Sequence, residues 1–152
     1  MKPVLSFVCA ALFAATPLVA QGVETDESNA VFESLIMSDT DNLTEFLWQA
    51  RPIVVFADSP NDPRFEQQMA LLEEQAAALK TRDVVILTDT DPQNASELRK
   101  SLRPRGFMMV LIGKDGGVKL RKPFPWNVRE ITRSIDKMPL RQQEIKDRRV
   151  AQ

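Results

Sequence analysis

The loop after the first predicted strand carries the side chains best suited to chemistry. It holds two carboxylates, Asp58 and Asp62, and one guanidinium, Arg64. A carboxylate pair could supply a general acid and a general base, and an arginine could bind an anion. Ser59 lies in the same loop, but a hydroxyl nucleophile needs an adjacent base, and the chain has no histidine. The residue types therefore point to carboxylate and arginine chemistry at this loop.

The same loop also has a purely structural interpretation, which we favour. Asp62 followed by Pro63 is typical of a helix start, with a capping side chain and then a proline at the first helical position. The alternative is that the free N–H groups of the helix start bind an anion, with Arg64 assisting. A carboxylate at the cap repels anions, so we interpret Asp62 as a cap.

Sulfur and metal chemistry have few possible ligands in this chain. Cys9 is the only cysteine among 152 residues, so no intrachain disulfide can form. With no histidine, zinc and copper sites are not expected. Two Asp-Thr-Asp triplets, at 39–41 and 89–91, begin like calcium loops but lack the glycine and glutamate that complete one. We predict no metal and no cofactor.

The first twenty residues have the layout of a secretory signal peptide. Lys2 gives a positive start, residues 4–15 are uncharged and mainly apolar, and Ala20 is a small residue before the polar Gln21. The apolar run is shorter than the roughly 20 residues that a membrane-spanning helix needs. Cleavage after Ala20 would remove Cys9 and leave a mature chain without a thiol. We predict export to the periplasm or the extracellular space; the alternative is an uncleaved N-terminal anchor.

Apolar patterning predicts one α/β domain over residues 41–139. Residues 63–80 repeat apolar side chains at helical spacing, and a Lys-Asp-Gly-Gly sequence is typical of a tight hairpin. Strand–helix–strand, then a helix and a hairpin, is the arrangement of the thioredoxin-like fold. The predicted fold is a central mixed sheet of about four strands flanked by helices. The strands are expected at 53–57, 83–88, 107–112 and, antiparallel, 118–121.

Two segments lie outside this predicted domain, and charge differs between the ends of the chain. Residues 21–40 show little periodicity and are expected to be a flexible lead-in, whereas 140–152 form a basic C-terminal tail. From 21 to 50 there are seven acids and no base; from 99 to 152 there are fifteen bases and five acids. One interpretation is that the charges of the two ends are solvated or pair with each other in the fold. The other is that the basic residues form a face that binds an anionic partner.

Four motifs occur in order along the chain: R-P-I-V-V-F-A at 51–57, N-D-P-R at 61–64, L-I-G-K-D-G-G-V-K-L-R at 111–121 and I-D-K-M-P-L-R-Q-Q-E at 135–144. The chain is similar to the peroxiredoxin-like domain of unknown function of bacterial secreted proteins, also found in sushi-repeat-containing extracellular proteins. The resemblance implies a thioredoxin-like fold and an extracytoplasmic location, but the family has no defined reaction to transfer.

Thioredoxin-like enzymes place a reactive cysteine after the first strand, at the start of the next helix, where the helix N-terminus stabilises a thiolate. Here residues 58–64 contain no sulfur. Disulfide exchange and thiol peroxidase chemistry are therefore excluded for the predicted mature chain.

Two functional hypotheses follow. The first is a secreted, non-catalytic interaction module that binds a protein or an envelope surface through a basic C-terminal face, without nucleic acid and without a membrane span after cleavage. The second is a thiol-independent enzyme at the loop after the first strand, which would require a buried acid with a raised pKa. The residues assigned to binding are Asp58, Asp62, Arg64, Lys114, Lys119 and Arg121.

Overall fold

A mixed four-stranded sheet lies at the centre of the fold. In the computed structural model, which describes residues 23–151, β1 (Arg51–Phe56) pairs in parallel with β2 (Val84–Asp89). On its other side β1 pairs antiparallel with β3 (Met108–Ile112), and β3 pairs antiparallel with β4 (Val118–Lys122). The strand order is β2-β1-β3-β4. The mixed four-stranded sheet confirms the predicted α/β fold class.

Helices cover both faces of the sheet because β1 is apolar on both sides. Ile53 and Val55 face one hydrophobic cluster, while Val54 and Phe56 face another. All six residues of β1 are buried, as expected for an interior strand of a sheet that is covered on both faces. The helices of the described residues are α1 (Val23–Glu33), a 3-10 helix (Leu43–Phe46), α2 (Pro63–Glu74), α3 (Ala76–Lys80), α4 (Glu97–Leu102), α5 (Val128–Asp136) and α6 (Pro139–Val150).

The helix predicted over 63–80 begins as expected and is interrupted once. The Asp62 side chain accepts a hydrogen bond from the N–H of Arg64 at 2.9 Å, and Pro63 is the first helical residue. Gln75 leaves the helical conformation, with φ −124° and ψ 32°, so that α2 ends and α3 follows. Ala76 remains buried beyond the break. The apolar spacing that predicted one helix is therefore divided between two.

The expected flexible lead-in differs from the described part of 21–40. Residues from Val23 form α1, and Phe32 and Leu35 are buried in the core. Ile86 in β2 donates its N–H to the oxygen of Leu35 at 2.7 Å and accepts from the N–H of Met37 at 2.9 Å. Burial of apolar side chains and these two bonds fix the segment against the sheet edge. The predicted signal peptide and Cys9 lie outside the described residues.

The predicted C-terminal tail also packs against the domain. Helix α6 starts at Pro139, directly after α5, and covers most of 140–152. Arg141 is buried, although the segment reads as polar and basic in sequence. Among the described residues, no helix has the length and apolar character needed to cross a membrane.

A buried glutamine ties α2 to the segment before α5. Gln68 is fully buried; its Nε2 donates to the Trp126 oxygen at 3.1 Å, and its Oε1 accepts from the Trp126 N–H at 2.7 Å. We expect Gln68→Leu to lower the free energy of unfolding by about 2 kcal/mol, because both Trp126 backbone groups lose their partner. Gln67→Leu, at the exposed neighbouring position, should change it by less than about 0.5 kcal/mol. Equal urea midpoints for the two variants would contradict this role for Gln68.

Candidate functional site

The loop after β1 brings three of the sequence-predicted site residues together. Arg64 folds back on Asp62, with its Nη2 2.9 Å from Oδ2 and its Nε 3.2 Å from Oδ1. The guanidinium also lies over the Phe107 ring, 5.6 Å from its centroid. Asp58 is exposed, and its charge acts on Arg64. Asp58, Asp62 and Arg64 therefore form one small polar cluster at the start of α2.

The electrostatics of this cluster favour its charged forms. Hydrogen bonds from the Arg64 side chain and backbone lower the pKa of the Asp62 carboxyl below its ordinary value. The side-chain hydrogen bond to Asp62 in turn raises the pKa of Arg64. A general acid needs the opposite shift, a carboxyl whose pKa is raised by burial. Asp62 caps the helix and forms an ion pair with Arg64, and its lowered pKa does not suit a general acid.

The other three predicted binding residues lie elsewhere in the fold. Lys114 is in the β3–β4 hairpin, which the antiparallel pairing places at the end of the sheet where β1 begins; the loop 58–64 is at the opposite end. Lys119 and Arg121 lie on β4, the edge strand. The six residues therefore do not make one site.

These three cations differ in what holds them. Lys114 does not belong to an exposed basic face as predicted. Its side chain is only 11% exposed, and its Nζ lies 2.8 Å from Asp83 and 2.9 Å from Glu144. Lys119 pairs with Asp115 at 2.6 Å on the surface. The Arg121 Nη1 donates to the oxygen of Leu102 at 2.5 Å, beside the exposed Arg103. Lys119 and Arg121 alone of the three keep a substantially exposed side chain.

A charged network lies beneath the hairpin, and sequence reasoning missed it. At its centre Arg51, only 1% exposed, donates to Glu144 at 2.9 Å and to the oxygen of Arg82 at 2.9 Å. Contacts of 2.7 to 3.9 Å join cations and carboxylates from β1, the β3–β4 hairpin, α5, α6 and the α3–β2 connection. The network contains five cations and three carboxylates: Arg51, Arg82, Lys114, Arg141 and Arg148 with Asp83, Asp136 and Glu144.

Glu144 is the carboxylate that pairs with three cations of the network, Arg51, Lys114 and Arg141. Burial by itself would raise its pKa, but hydrogen bonds from Arg51, Lys114 and Arg141 outweigh burial and lower the pKa to about 2. The carboxylate is therefore held ionised throughout the ordinary pH range. It joins the start of β1, the hairpin and α6 into one unit.

A groove opens on the surface above this network. We call it the Trp48 groove; its volume is about 290 Å³. Trp48 is 69% exposed and has a φ of 62°, a conformation that its N–H stabilises by donating to the oxygen of Lys114 at 2.7 Å. Gly113 lies in the wall, where an added Cβ would come within 2.5 Å of Lys119 Cε and Asp115 Oδ1. The lining is Trp48, Arg51, Gly113, Lys114, Asp115, Lys119, Met138, Pro139 and Leu140.

Both Asp-Thr-Asp triplets line a second, polar cavity of about 460 Å³. Three of these carboxylates have partners in the protein: Asp89 pairs with Arg99 at 2.8 Å, Asp41 accepts from the N–H of Glu97 at 2.9 Å, and Asp91 accepts from the N–H of Gln93 at 3.0 Å. Across residues 23–151, no group of three or more carboxylate, imidazole or thiol side chains is arranged to hold a metal ion. The triplets therefore serve as turn and capping residues in this fold.

The motifs of the loop, hairpin and α6 fall within one family match. Residues 42–144 match the family described as Domain of unknown function (DUF4174). The chain belongs to this family. The match includes β1, the hairpin and Glu144, and so covers nearly all of the charged network. A DUF4174 domain is thus established for this chain, whose single cysteine, Cys9, lies outside the matched residues, and the family description assigns the domain no activity.

Two further comparisons place this DUF4174 domain among known proteins. Coiled-coil domain-containing protein 80 of Danio rerio is 32% identical over 68% of this chain, and the match spans 15% of that protein's length. A solved structure of N-terminally modified Prx1a from Plasmodium yoelii has a TM-score of 0.50 and 16% identity, covering 66% of this chain and 80% of that one. The second likeness supports the thioredoxin-like fold and carries no statement about chemistry.

Proposed function

We propose that this chain is an exported, non-catalytic interaction module built on a thioredoxin-like fold. The observation that carries the proposal is the start of α2, the position where redox enzymes of this fold hold a reactive cysteine. Residues 58–64 supply no sulfur there, and Asp62 and Arg64 are engaged with each other at 2.9 Å. Without a thiolate the position has no group that can be oxidised or reduced.

The alternative is a thiol-independent enzyme at the same loop. In its favour, Asp58, Asp62 and Arg64 lie close together. Against it, Asp58 is exposed and the pKa of Asp62 is lowered by Arg64. A general acid at neutral pH needs a raised pKa, so the geometry favours the interaction module.

The surface that would meet a partner is the exposed side of β4. Lys119 and Arg121 alternate with Leu120, which packs against the main hydrophobic cluster, so both cations project from the opposite side of the edge strand. Arg103 and Arg105 are exposed in the connection that leads to β3. This concentration of positive charge supports an acidic protein or an anionic envelope surface as the partner.

Charge removal on this strand tests the proposed partner surface. A Lys119→Gln/Arg121→Gln variant should lose the partner that wild-type protein retains from a periplasmic or extracellular fraction, with Arg133→Gln as the control. Retention should also fall between about 0.05 and about 0.5 M NaCl, because exposed charges are screened at high salt. Circular dichroism checks that both variants are folded. The proposed surface would be contradicted if the wild-type protein retained no partner. It would also be contradicted if the amount of partner retained did not change with salt or with the β4 substitutions.

Export itself is tested by the N-terminus of the protein found outside the cytoplasm. We expect its sequence to start at Gln21, because Ala20 supplies the small residue that signal peptidase requires. Ala20→Trp should block processing and leave a heavier protein by mass spectrometry. Exported protein that still carries Met1 would show an anchor in place of a cleaved signal peptide.

A further inference from the structure

We infer that the Trp48 groove binds an acidic peptide segment of a partner protein. A large apolar side chain of that segment would lie between Trp48 and Leu140, and a neighbouring carboxylate would pair with Lys119. The inference rests on the proposed function as an interaction module, and it names the segment of the partner that would be recognised.

Exposed apolar surface at the groove supplies the first argument. Among the described residues, five large apolar side chains are markedly exposed, and two of them, Trp48 at 69% and Leu140 at 38%, line this groove. Met138 and Pro139 continue the apolar wall. An exposed tryptophan beside an apolar depression is the kind of feature that contributes most binding energy at protein interfaces.

Charge supplies the second argument and selects an acidic occupant. The network beneath the groove has five cations and three carboxylates, so it retains two positive charges. Two cations of this network, Arg51 and Lys114, line the groove. At the rim, Lys119 pairs only with the exposed Asp115. Because an exposed pair of this kind contributes little, an incoming carboxylate can replace Asp115 on Lys119.

Backbone conformation supplies the third argument. Trp48 has a φ of 62°, which is unfavourable for a residue with a bulky side chain. Such a conformation persists only where contacts with the surrounding structure hold it in place. The Trp48 N–H donates to the hairpin oxygen of Lys114, so a contact between two segments holds the backbone of Trp48 at the groove. A binding surface that is already ordered loses less entropy when its partner binds.

The size of the groove favours side chains of a peptide over a cofactor. Its volume of about 290 Å³ lies at the lower end of the roughly 300–1,000 Å³ typical of small-molecule sites. One large apolar side chain and an adjacent carboxylate fill such a space, and the rest of the segment can continue along the hairpin.

Selection from a displayed library of random short peptides tests the inference. We expect wild-type protein to enrich peptides with an aromatic or large aliphatic residue next to Asp or Glu. Fluorescence anisotropy of an enriched peptide should give a Kd at least about tenfold weaker for Trp48→Ala and for Lys119→Gln. Replacing the peptide's acid with its amide should weaken binding similarly. Phe124→Ala, another exposed aromatic, and Arg133→Gln, another cation in a surface pair, are matched controls expected to change Kd less than about twofold.

The outcomes separate this inference from the proposed function. Enriched peptides that bind Trp48→Ala as tightly as wild type would overturn the groove assignment and leave an interaction module with a different surface. Enrichment of neutral peptides, or tight binding by anilinonaphthalene sulfonate in the groove while no peptide is enriched, would overturn the acidic peptide as its occupant. Peroxide turnover by the mature chain would overturn the proposed function itself, whatever the peptides do.

Discussion

Arg51→Met is expected to lower the free energy of unfolding by about 3–5 kcal/mol, among the largest effects of any single substitution in this chain. The Arg51 side chain is 1% exposed and donates to Glu144 at 2.9 Å and to the Arg82 oxygen at 2.9 Å. Its removal leaves a partly buried carboxylate and a backbone oxygen short of a donor. Urea denaturation followed by circular dichroism measures the loss.

Arg133→Met is the matched control for Arg51→Met. Arg133 also pairs with a glutamate at 2.9 Å, but its side chain is 54% exposed and the pair lies on the surface of α5. We expect it to cost less than about 1 kcal/mol. If the two variants unfold at the same urea concentration, the charged network is not a major source of stability.

Acidification is expected to remove about 2–3 kcal/mol of stability through Glu144, with allowance for its part exposure. The pKa of Glu144 is lowered from 4.5 to about 2 in the folded state. An acid with a lowered folded-state pKa stabilises the fold fully above its unfolded-state pKa, and this contribution is lost as the pH falls toward the folded-state pKa. The loss should therefore develop between about pH 5 and about pH 2.

Glu144→Gln identifies the residue responsible for this pH dependence. At pH 7 the variant should already be less stable than wild type. Its stability should fall less between pH 5 and pH 2, because position 144 no longer carries a carboxyl that titrates. Glu130→Gln removes a carboxyl from an exposed glutamate, and its free energy of unfolding should depend on pH as that of wild type does. A wild-type slope in Glu144→Gln would show that other carboxyls dominate acid unfolding.

Local sequence signals predicted most of the fold. Ile53 to Phe56 are apolar without interruption, which fits a strand covered on both faces, and all four are buried. The Asp62-Pro63 pair marked the first residue of α2. Gly116 adopts a φ of 76° in the hairpin turn, the conformation that made the glycine pair a turn signal. Each of these features depends on residues that are close in sequence.

The charged network could not be predicted because its members are distant in sequence. Arg51 and Glu144 are 93 residues apart, and Lys114 and Asp83 are 31 apart. Nothing local shows which residues Arg51 pairs with. A single signal was present: a charged residue directly before a run of buried apolar residues has to find a partner once the strand is covered.

The candidate groove was missed for a related reason. In the sequence Trp48 directly follows the apolar residues Phe46 and Leu47, and nothing distinguishes it from a core residue. In the structure the 3-10 helix ends at Phe46, and Trp48 is exposed and has a positive φ. Its position depends on the hairpin oxygen of Lys114, which only the tertiary fold supplies. Two of the predicted binding residues, Lys114 and Lys119, also line this groove, and their role in binding stays a prediction.

The uneven charge along the sequence is only partly balanced within the fold. Among residues 27–151, the ion pairs do not join any acid of 27–50 to a base of 99–151. Bases of the C-terminal third instead pair with Asp83, Asp89, Asp136 and other acids of the later segments. Exposed positive charge therefore remains on β4, in keeping with the proposed partner surface.

Hydrogen peroxide consumption by purified residues 21–152 tests the central claim most directly. The proposed interaction module should consume peroxide, in the presence of dithiothreitol, no faster than buffer alone, because residues 58–64 offer no thiolate to attack the peroxide bond. An active peroxiredoxin assayed in parallel shows that the conditions support turnover. Consumption that rises in proportion to the concentration of this protein would contradict the account.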